Sequence, residues 1–202
     1  MGQEANCVVR FGGKKSAGKA LLETNELIFR GDFRLKVAFA SMKSVKAANG
    51  DLRVETAEGP AVFELGGQAA KWCDKILHPK SRMEKLGVKV GAQVALLGEF
   101  DRLFLGELGA LTTRVIKDKI DAKAEWIFLV AATKKDLVEV AKLAKKMAAT
   151  AGLWVIYPKG QKDLTENDVR AAGRSAGLKE VKVVGFSVTH TGLKFVVPLD
   201  KR

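Results

Sequence analysis

The strongest constraint on the fold of this chain is a change of pattern near residue 85. Before it, short strand-like segments follow one another, separated by small-residue and charged turns. After it, apolar strand-like segments alternate with helical ones. The first pattern is typical of a β-rich domain and the second of an α/β sheet. We therefore expect two domains, at residues 1–80 and 91–202, with a connector at 81–90.

The net charge of +12 is the main oddity of the composition. Residues 1–84 hold 14 basic and 10 acidic side chains, and the rest of the chain is basic as well, so the excess is not confined to a tail. A basic surface attracts nucleic acid, anionic lipid and phosphorylated small molecules. Solubility alone would explain the same charge.

The remaining composition favours a cytoplasmic protein. The longest apolar run, residues 126–132, is seven residues long, whereas a membrane-spanning helix needs about 20. Cys7 and Cys73 lie far apart in apolar segments, which is typical of reduced, buried thiols. No pattern indicates an oligomeric state.

The first half is predicted to hold seven strands and one helix. Residues 68–77 place apolar side chains at helical spacing, and Asn49-Gly50 predicts a tight turn, because both residue types tolerate positive φ. The strands are predicted at residues 7–11, 17–23, 26–30, 34–39, 44–47, 52–55 and 61–65.

That order, and the segment GKALLETNELIFR at residues 18–30, resembles the pleckstrin-homology (PH) superfold and its GRAM-like relatives. The resemblance implies an α+β domain, a PH-like β-barrel with a C-terminal helix, in a class that usually binds lipid headgroups or peptides. An anion would then bind at the first loop and the strands beside it, and the alternative is a flexible solvated loop. The candidate cations are Lys14, Lys15, Lys19, Arg30 and Arg34.

The second half is predicted to form an α/β three-layer domain with a mainly parallel sheet that ends in an antiparallel hairpin. Residues 126–130 and 153–157 are its clearest core strands, and a capping box at Thr133 starts a helix. One face of that helix is apolar and the other carries five lysines between positions 134 and 146. The order of elements is similar to the back half of Rossmann-like methyltransferases.

The second half also resembles an uncharacterised bacterial family, a domain of unknown function, over residues 85–200. The matching segments are LWVIYPKG at 153–160, LTE at 164–166 and GLKFV at 192–196. This resemblance implies a domain and no activity.

Several segments match the residue pattern of a catalytic motif but lie in the wrong predicted secondary structure. Residues 13–20 resemble a phosphate-binding P-loop, yet a strand follows where a helix is needed, and Ala20 replaces the magnesium-binding hydroxyl. Ser175 lies in a GxSxG pattern but at the end of a predicted helix. Tyr157 and Lys162 lack the spacing of a helical pair, and no GxGxxG follows Gly98. Neither a metal cluster nor a cofactor is indicated.

Ligands of open α/β sheets bind at the carboxyl ends of the strands. We therefore expect candidate ligand-binding residues at Glu99, Lys134, Tyr157 and Lys159. The main hypothesis is a non-enzymatic binding or adaptor protein for an anionic partner, namely a phosphorylated ligand, anionic lipid or nucleic acid. The alternative is a divergent Rossmann-like enzyme with its site around Tyr157 and Lys159. The sequence leaves enzymatic activity open but leans against it, and it assigns no catalytic residue.

Overall fold

The structure is a computed structural model that describes residues 2–201. Its contacts divide the chain into two compact units, with the division between Lys80 and Ser81. None of the helices in the described part of the chain is long and apolar enough to cross a membrane.

The first unit is built on one seven-stranded antiparallel sheet, with the strand order β4-β3-β2-β1-β7-β6-β5. A single helix, α1 (Ala69–Leu77), follows the last strand and packs against β5 and β6. The strands are β1 (Gln3–Phe11), β2 (Lys14–Leu22), β3 (Glu26–Arg30), β4 (Arg34–Ala38), β5 (Ser44–Ala48), β6 (Asp51–Thr56) and β7 (Gly59–Glu64).

Alternation of side chains builds the core of this unit. In β4, Leu35 and Val37 are buried while their neighbours are exposed, because successive side chains point to opposite faces of a strand. Trp72 of α1 closes the core and is almost fully buried. The predicted turn is confirmed, since Asn49 and Gly50 both have positive φ, 54° and 84°.

The predicted PH-like β-barrel, and with it the GRAM-like identification, is wrong. The sheet is open: β4 and β5 form its two edges, and no ladder joins them in residues 2–201. The seven predicted strands and the helix are present in the structure. Alternation of apolar and polar residues indicates only that one face of each strand is buried, and it does not indicate whether the edge strands pair with each other.

The second unit is built on a six-stranded mixed sheet, with the order β12-β13-β11-β10-β8-β9. Its strands are β8 (Val94–Leu97), β9 (Val115–Lys117), β10 (Trp126–Val130), β11 (Gly152–Pro158), β12 (Lys179–Gly185) and β13 (His190–Val196). Its helices are α2 (Arg82–Leu86), α3 (Arg102–Gly109), α4 (Val138–Lys146) and α5 (Glu166–Ser175).

Both faces of this sheet are covered, which explains the apolar run of β11. Leu153, Val155 and Tyr157 belong to a core shared with residues of α4 and α5. Trp154 and Ile156 point the other way, into a core shared with residues of α2 and α3. A strand buried on both faces is apolar at nearly every position.

The predicted Rossmann-like domain with a mainly parallel sheet is wrong. Strands β9, β8, β10 and β11 are parallel, but β13 is antiparallel to both of its neighbours, β11 and β12, and the sheet is mixed. Apolar periodicity identifies strands without giving their direction or spatial order. The antiparallel terminal hairpin is confirmed. The predicted connector at 81–90 contains α2, whose Met83 and Leu86 are buried.

Candidate functional site

The carboxyl ends of the parallel strands meet at one edge of the second unit's sheet. Strand β8 ends at Leu97, β10 at Val130 and β11 at Pro158. The antiparallel strand β13 begins at the same edge, because His190 pairs with Pro158. Loops after β8 and before β13 therefore face each other across this edge.

A cleft of about 560 Å³ opens between these loops. Its walls are α2, the start of α3 and the β12–β13 hairpin, and its floor comes from the ends of β10 and β11. The lining side chains are Arg82, Glu99, Phe100, Asp101, Leu103, Glu107, Val130, Ile156, Phe186, Ser187, Val188, Thr189 and His190.

Aromatic rings form one side of the cleft. Phe100 stacks on Phe104 with the ring centroids 5.0 Å apart, and its edge approaches Phe186 at 6.4 Å. Phe104 in turn contacts Phe128 at 5.4 Å and is fully buried. Such packing gives the cleft a rigid apolar surface.

Arg82 is a largely buried cation on the cleft wall, with 14% of its side chain exposed. Its Nε donates to Glu107 at 2.8 Å and its Nη1 to Asp101 at 3.2 Å, while its guanidinium lies 5.1 Å from the centre of the Phe186 ring. Burial acts to lower the pKa of Arg82, but the hydrogen bonds and charges of Glu107 and Asp101 outweigh it and raise that pKa. The charge of Arg82 is thus already neutralised.

Asp101 closes the N-terminus of α3. Its carboxylate accepts from the backbone N–H of Phe104 at 2.7 Å. Burial acts to raise the pKa of Asp101, but this backbone hydrogen bond and Arg82 lower it below its ordinary value. A helix N-terminus normally suits a phosphate, and here a carboxylate already lies there.

A second hollow of about 290 Å³ lies beside the cleft, between the ends of β8 and β9. Glu99 and Phe100 line both spaces. Gly98 has φ +92°, and a Cβ there would lie 3.2 Å from the Cβ of Val130, so the chain turns where a side chain would be strained and crowded. Asp118 lines the far side of the hollow.

Two ionisable groups among the described residues that line the cleft remain free to act on a ligand. Glu99 is exposed and forms no ion pair or hydrogen bond in residues 2–201. His190 is half-buried, and its Nδ1 lies 2.9 Å from the Thr189 hydroxyl, which leaves Nε2 without a partner in the described chain. A carboxylate and an imidazole are the usual side chains of general acid–base chemistry.

The structure separates Tyr157 from Lys159. Tyr157 is buried on the opposite face of the sheet and donates its hydroxyl hydrogen bond to Glu166 at 2.9 Å; burial and this carboxylate raise its pKa. Lys159 donates to the carbonyl oxygens of Ser187 and Val188, at 2.6 and 3.2 Å, and so ties down the hairpin. Only Glu99 of the predicted strand-end residues lines the cleft itself.

The other predicted residues do not line the cleft. Lys134 pairs with Asp168 at 3.0 Å, near the start of α5. In the first unit, Lys14 and Lys15 line a shallow hollow of about 440 Å³ at the β1–β2 hairpin. Lys19, Arg30 and Arg34 are neighbours across β2, β3 and β4. Residues 14–22 form a strand and Ser175 ends α5, so neither segment has the structural context of a P-loop or of a GxSxG nucleophile turn.

Sequence reasoning missed Arg82, Asp101 and Phe186. The Ser81-x-x-Glu84 capping box, which is formed in the structure, marks the helix that carries Arg82. Asp101 is likewise a recognisable N-cap. Nothing local in the sequence indicates that these two residues meet. No group of three or more metal-ligating side chains is found among the described residues.

Comparisons with known proteins give no family. No protein-family model matches the chain, and no curated protein matches it. The resemblance to a bacterial domain of unknown function therefore stays a prediction.

Solved structures give distant likenesses. A SAM-dependent methyltransferase from Aquifex aeolicus is 17% identical with a TM-score of 0.44, over 60% of this chain and 95% of that one. A TehB-like SAM-dependent methyltransferase from Corynebacterium glutamicum is 10% identical with a TM-score of 0.37, over 64% and 96%. The C-terminal domain of an unknown protein from Leishmania infantum is 11% identical with a TM-score of 0.34, over 38% and 80%. Because these three TM-scores are below 0.5, we argue function from this chain's own geometry.

Proposed function

We propose that the second unit is a divergent enzyme that binds a small organic molecule without phosphate groups in the strand-end cleft. The observation that carries this proposal is the free Glu99 carboxylate and the free His190 Nε2 beside a rigid apolar wall. Ligand sites of sheets with parallel strands gather at this edge. Glu99 and His190 are the acid–base candidates.

The charges of the cleft support a cationic or uncharged ligand. Arg82 is neutralised by two carboxylates, and the ammonium of Lys159 is held by carbonyl oxygens. Glu99 is the free charge of the lining. A phosphate would meet this carboxylate and the Asp101 cap, so the cleft does not favour an anionic ligand. The adaptor hypothesis for an anionic partner therefore gains nothing from this site.

The proposal also includes the cellular compartment of the protein. Cys7 and Cys73 are both free thiols. Free thiols fit a reducing compartment, and we propose a cytoplasmic protein.

A ligand panel tests the proposal by thermal shift and calorimetry on the full chain. We expect adenosine and S-adenosylmethionine, a sulfonium cation without phosphate, to bind better than ATP or NAD. Glu99→Gln should weaken binding of the cation about tenfold, because it removes the negative charge that attracts the cation. Asp163→Asn, which removes an exposed carboxylate outside the cleft, should leave binding unchanged.

Two results would contradict the proposal. One is tighter binding of ATP than of adenosine, since Glu99 and Asp101 should repel phosphate. The other is a panel in which no compound shifts the melting temperature of the wild-type chain.

A further inference from the structure

The outward face of the first unit's sheet carries two rows of cations. Residues directly opposite each other in antiparallel strands point to the same face. The register therefore defines row 1, across β2, β1, β7, β6 and β5, as Lys15, Arg10, Val62, Arg53 and Lys46. It defines row 2, across β1, β2, β3 and β4, as Asn6, Lys19, Arg30 and Arg34.

Like charges lie directly opposite each other at four places in these rows. The pairs are Arg10 with Lys15, Lys19 with Arg30, Arg30 with Arg34, and Lys46 with Arg53. All seven of these side chains are exposed. Opposed like charges destabilise a sheet, so four such pairs on one face indicate a surface that an anion would stabilise.

Carboxylates on the same face neutralise only part of this charge. Arg10 pairs with Asp51 at 3.0 Å and with Glu64 at 3.5 Å, and Lys19 pairs with Glu4 at 3.2 Å. One outward carboxylate, Glu55, lies on β6 without a cation partner. Five cations of the rows form no ion pair within residues 2–201: Lys15, Arg30, Arg34, Lys46 and Arg53.

The spacing of the rows fits a duplex. Lys15 and Lys19 lie four residues apart on β2, which is about 13 Å at a rise of about 3.3 Å per residue. The major groove of B-DNA is about 12 Å wide. Row 1 crosses five strands and is about 19 Å long at about 4.8 Å per strand. The rows overlap on β1 and β2 and extend from there toward opposite edges of the sheet, so each can contact a different phosphate backbone.

The face lacks the features that single-stranded nucleic acid requires. None of the outward residues in the described part of β1 to β7 is aromatic, because the phenylalanines of these strands point to the core. Single strands are held largely by stacking of bases on aromatic rings. Phosphate contacts alone carry no sequence information.

We propose that this face binds the phosphate backbone of double-stranded nucleic acid, independently of sequence. Lys15 and Arg53 of row 1 contact one strand, and Arg30 and Arg34 of row 2 contact the other. The cleft of the second unit plays no part, so this proposal and the proposed function can fail separately.

The test measures fluorescence anisotropy of a labelled DNA duplex with the full chain across a salt series. We expect binding at low salt. The logarithm of the binding constant should fall linearly with the logarithm of the salt concentration. Arg30→Gln/Arg34→Gln and Lys15→Gln/Arg53→Gln should each weaken binding about tenfold and reduce the slope by about 1 to 2. Lys145→Gln/Lys146→Gln is the matched control, because it removes two exposed lysines from α4. It should bind as the wild type does.

Four results would overturn the proposal. They are no duplex binding at about 50 mM salt, an equal loss in the α4 control, tighter binding to a single strand of the same sequence, and binding to phosphatidylserine vesicles without binding to the duplex. Circular dichroism of each variant separates a lost contact from a lost fold.

Discussion

Arg82 lies between two carboxylates and two aromatic rings on the wall of the cleft. At the scale of single residues we predict that Arg82→Met destabilises the second unit by about 1–3 kcal/mol. The variant leaves Asp101 and Glu107 as like charges without their cation. Their side chains are 42% and 44% exposed, so water offsets part of the loss. Urea unfolding of the wild type and the variant at neutral pH measures this difference in the free energy of unfolding.

The pH dependence of that loss provides the check at Asp101. Its pKa is lowered in the folded chain, so its pairing contributes stability above the ordinary pKa of about 3.8 and loses it as the pH falls through the lowered value. The difference between wild type and Arg82→Met should therefore shrink below pH ~4. A difference that stays constant into acid would show that packing, not charge, explains the loss. Arg82→Lys keeps the charge but not the two-carboxylate geometry and should be intermediate.

Helix α5 begins with a capping box that sets the ionisation of Asp168 at the scale of a secondary-structure element. The side chain and backbone N–H of Thr165 hydrogen-bond to this carboxylate, at 2.7 and 2.9 Å, and with Lys134 they lower the pKa of Asp168 to about 2. We predict that Thr165→Ala costs about 1 kcal/mol of stability and raises the pKa of Asp168 toward its ordinary value. Carboxyl NMR titration measures that pKa.

The sign of the Asp168 effect follows from its lowered pKa. Its pairing stabilises the fold above pH 3.8 and is lost as the pH falls toward about 2. Thr165→Ser keeps the hydroxyl and is the control, since it should preserve the low pKa. An unchanged pKa in Thr165→Ala would mean that the hydroxyl is dispensable and that the backbone N–H of residue 165 and Lys134 are enough to lower it.

The division of the chain between Lys80 and Ser81 belongs to the scale of the whole molecule. Each unit has its own buried cores, and residues 77–81 are exposed. We predict that limited trypsin digestion cuts first after Lys80, because the peptide bonds of buried strands and helices are protected. Mass spectrometry of the early products should show two long-lived fragments. Early cuts inside β1 to β7 would contradict independent units, and Lys80→Gln should delay the first cut.

Sequence reasoning located most elements because their patterns are local. Strands β3 and β10 have the predicted bounds, and Gly50 turns as expected. The barrel predicted for the first sheet was wrong, and the position of β13 between β11 and β12 was not predicted, since both depend on pairing between distant segments. The cleft was missed for the same reason: Arg82 and Phe186 are separated by more than a hundred residues and meet only in the fold.

The alternation of side chains along β11 explains why Tyr157 does not line the cleft. Consecutive residues point to opposite faces, so when Ile156 lines the cleft its neighbour cannot. Tyr157 was predicted from its position at the strand end, without assignment to a face. Knowing which face carries the cleft would have excluded Tyr157 and retained Glu99.

The reversal of β13 makes one wall of the cleft a hairpin tip, residues 186–190, rather than part of a strand-to-helix crossover. A hairpin tip can gain or lose residues while every rung of the sheet stays paired. Lys159 anchors this tip from β11 through two carbonyl groups, which any residue type at those positions supplies. The size and lining of the cleft can thus diverge between related chains while the scaffold is inherited unchanged.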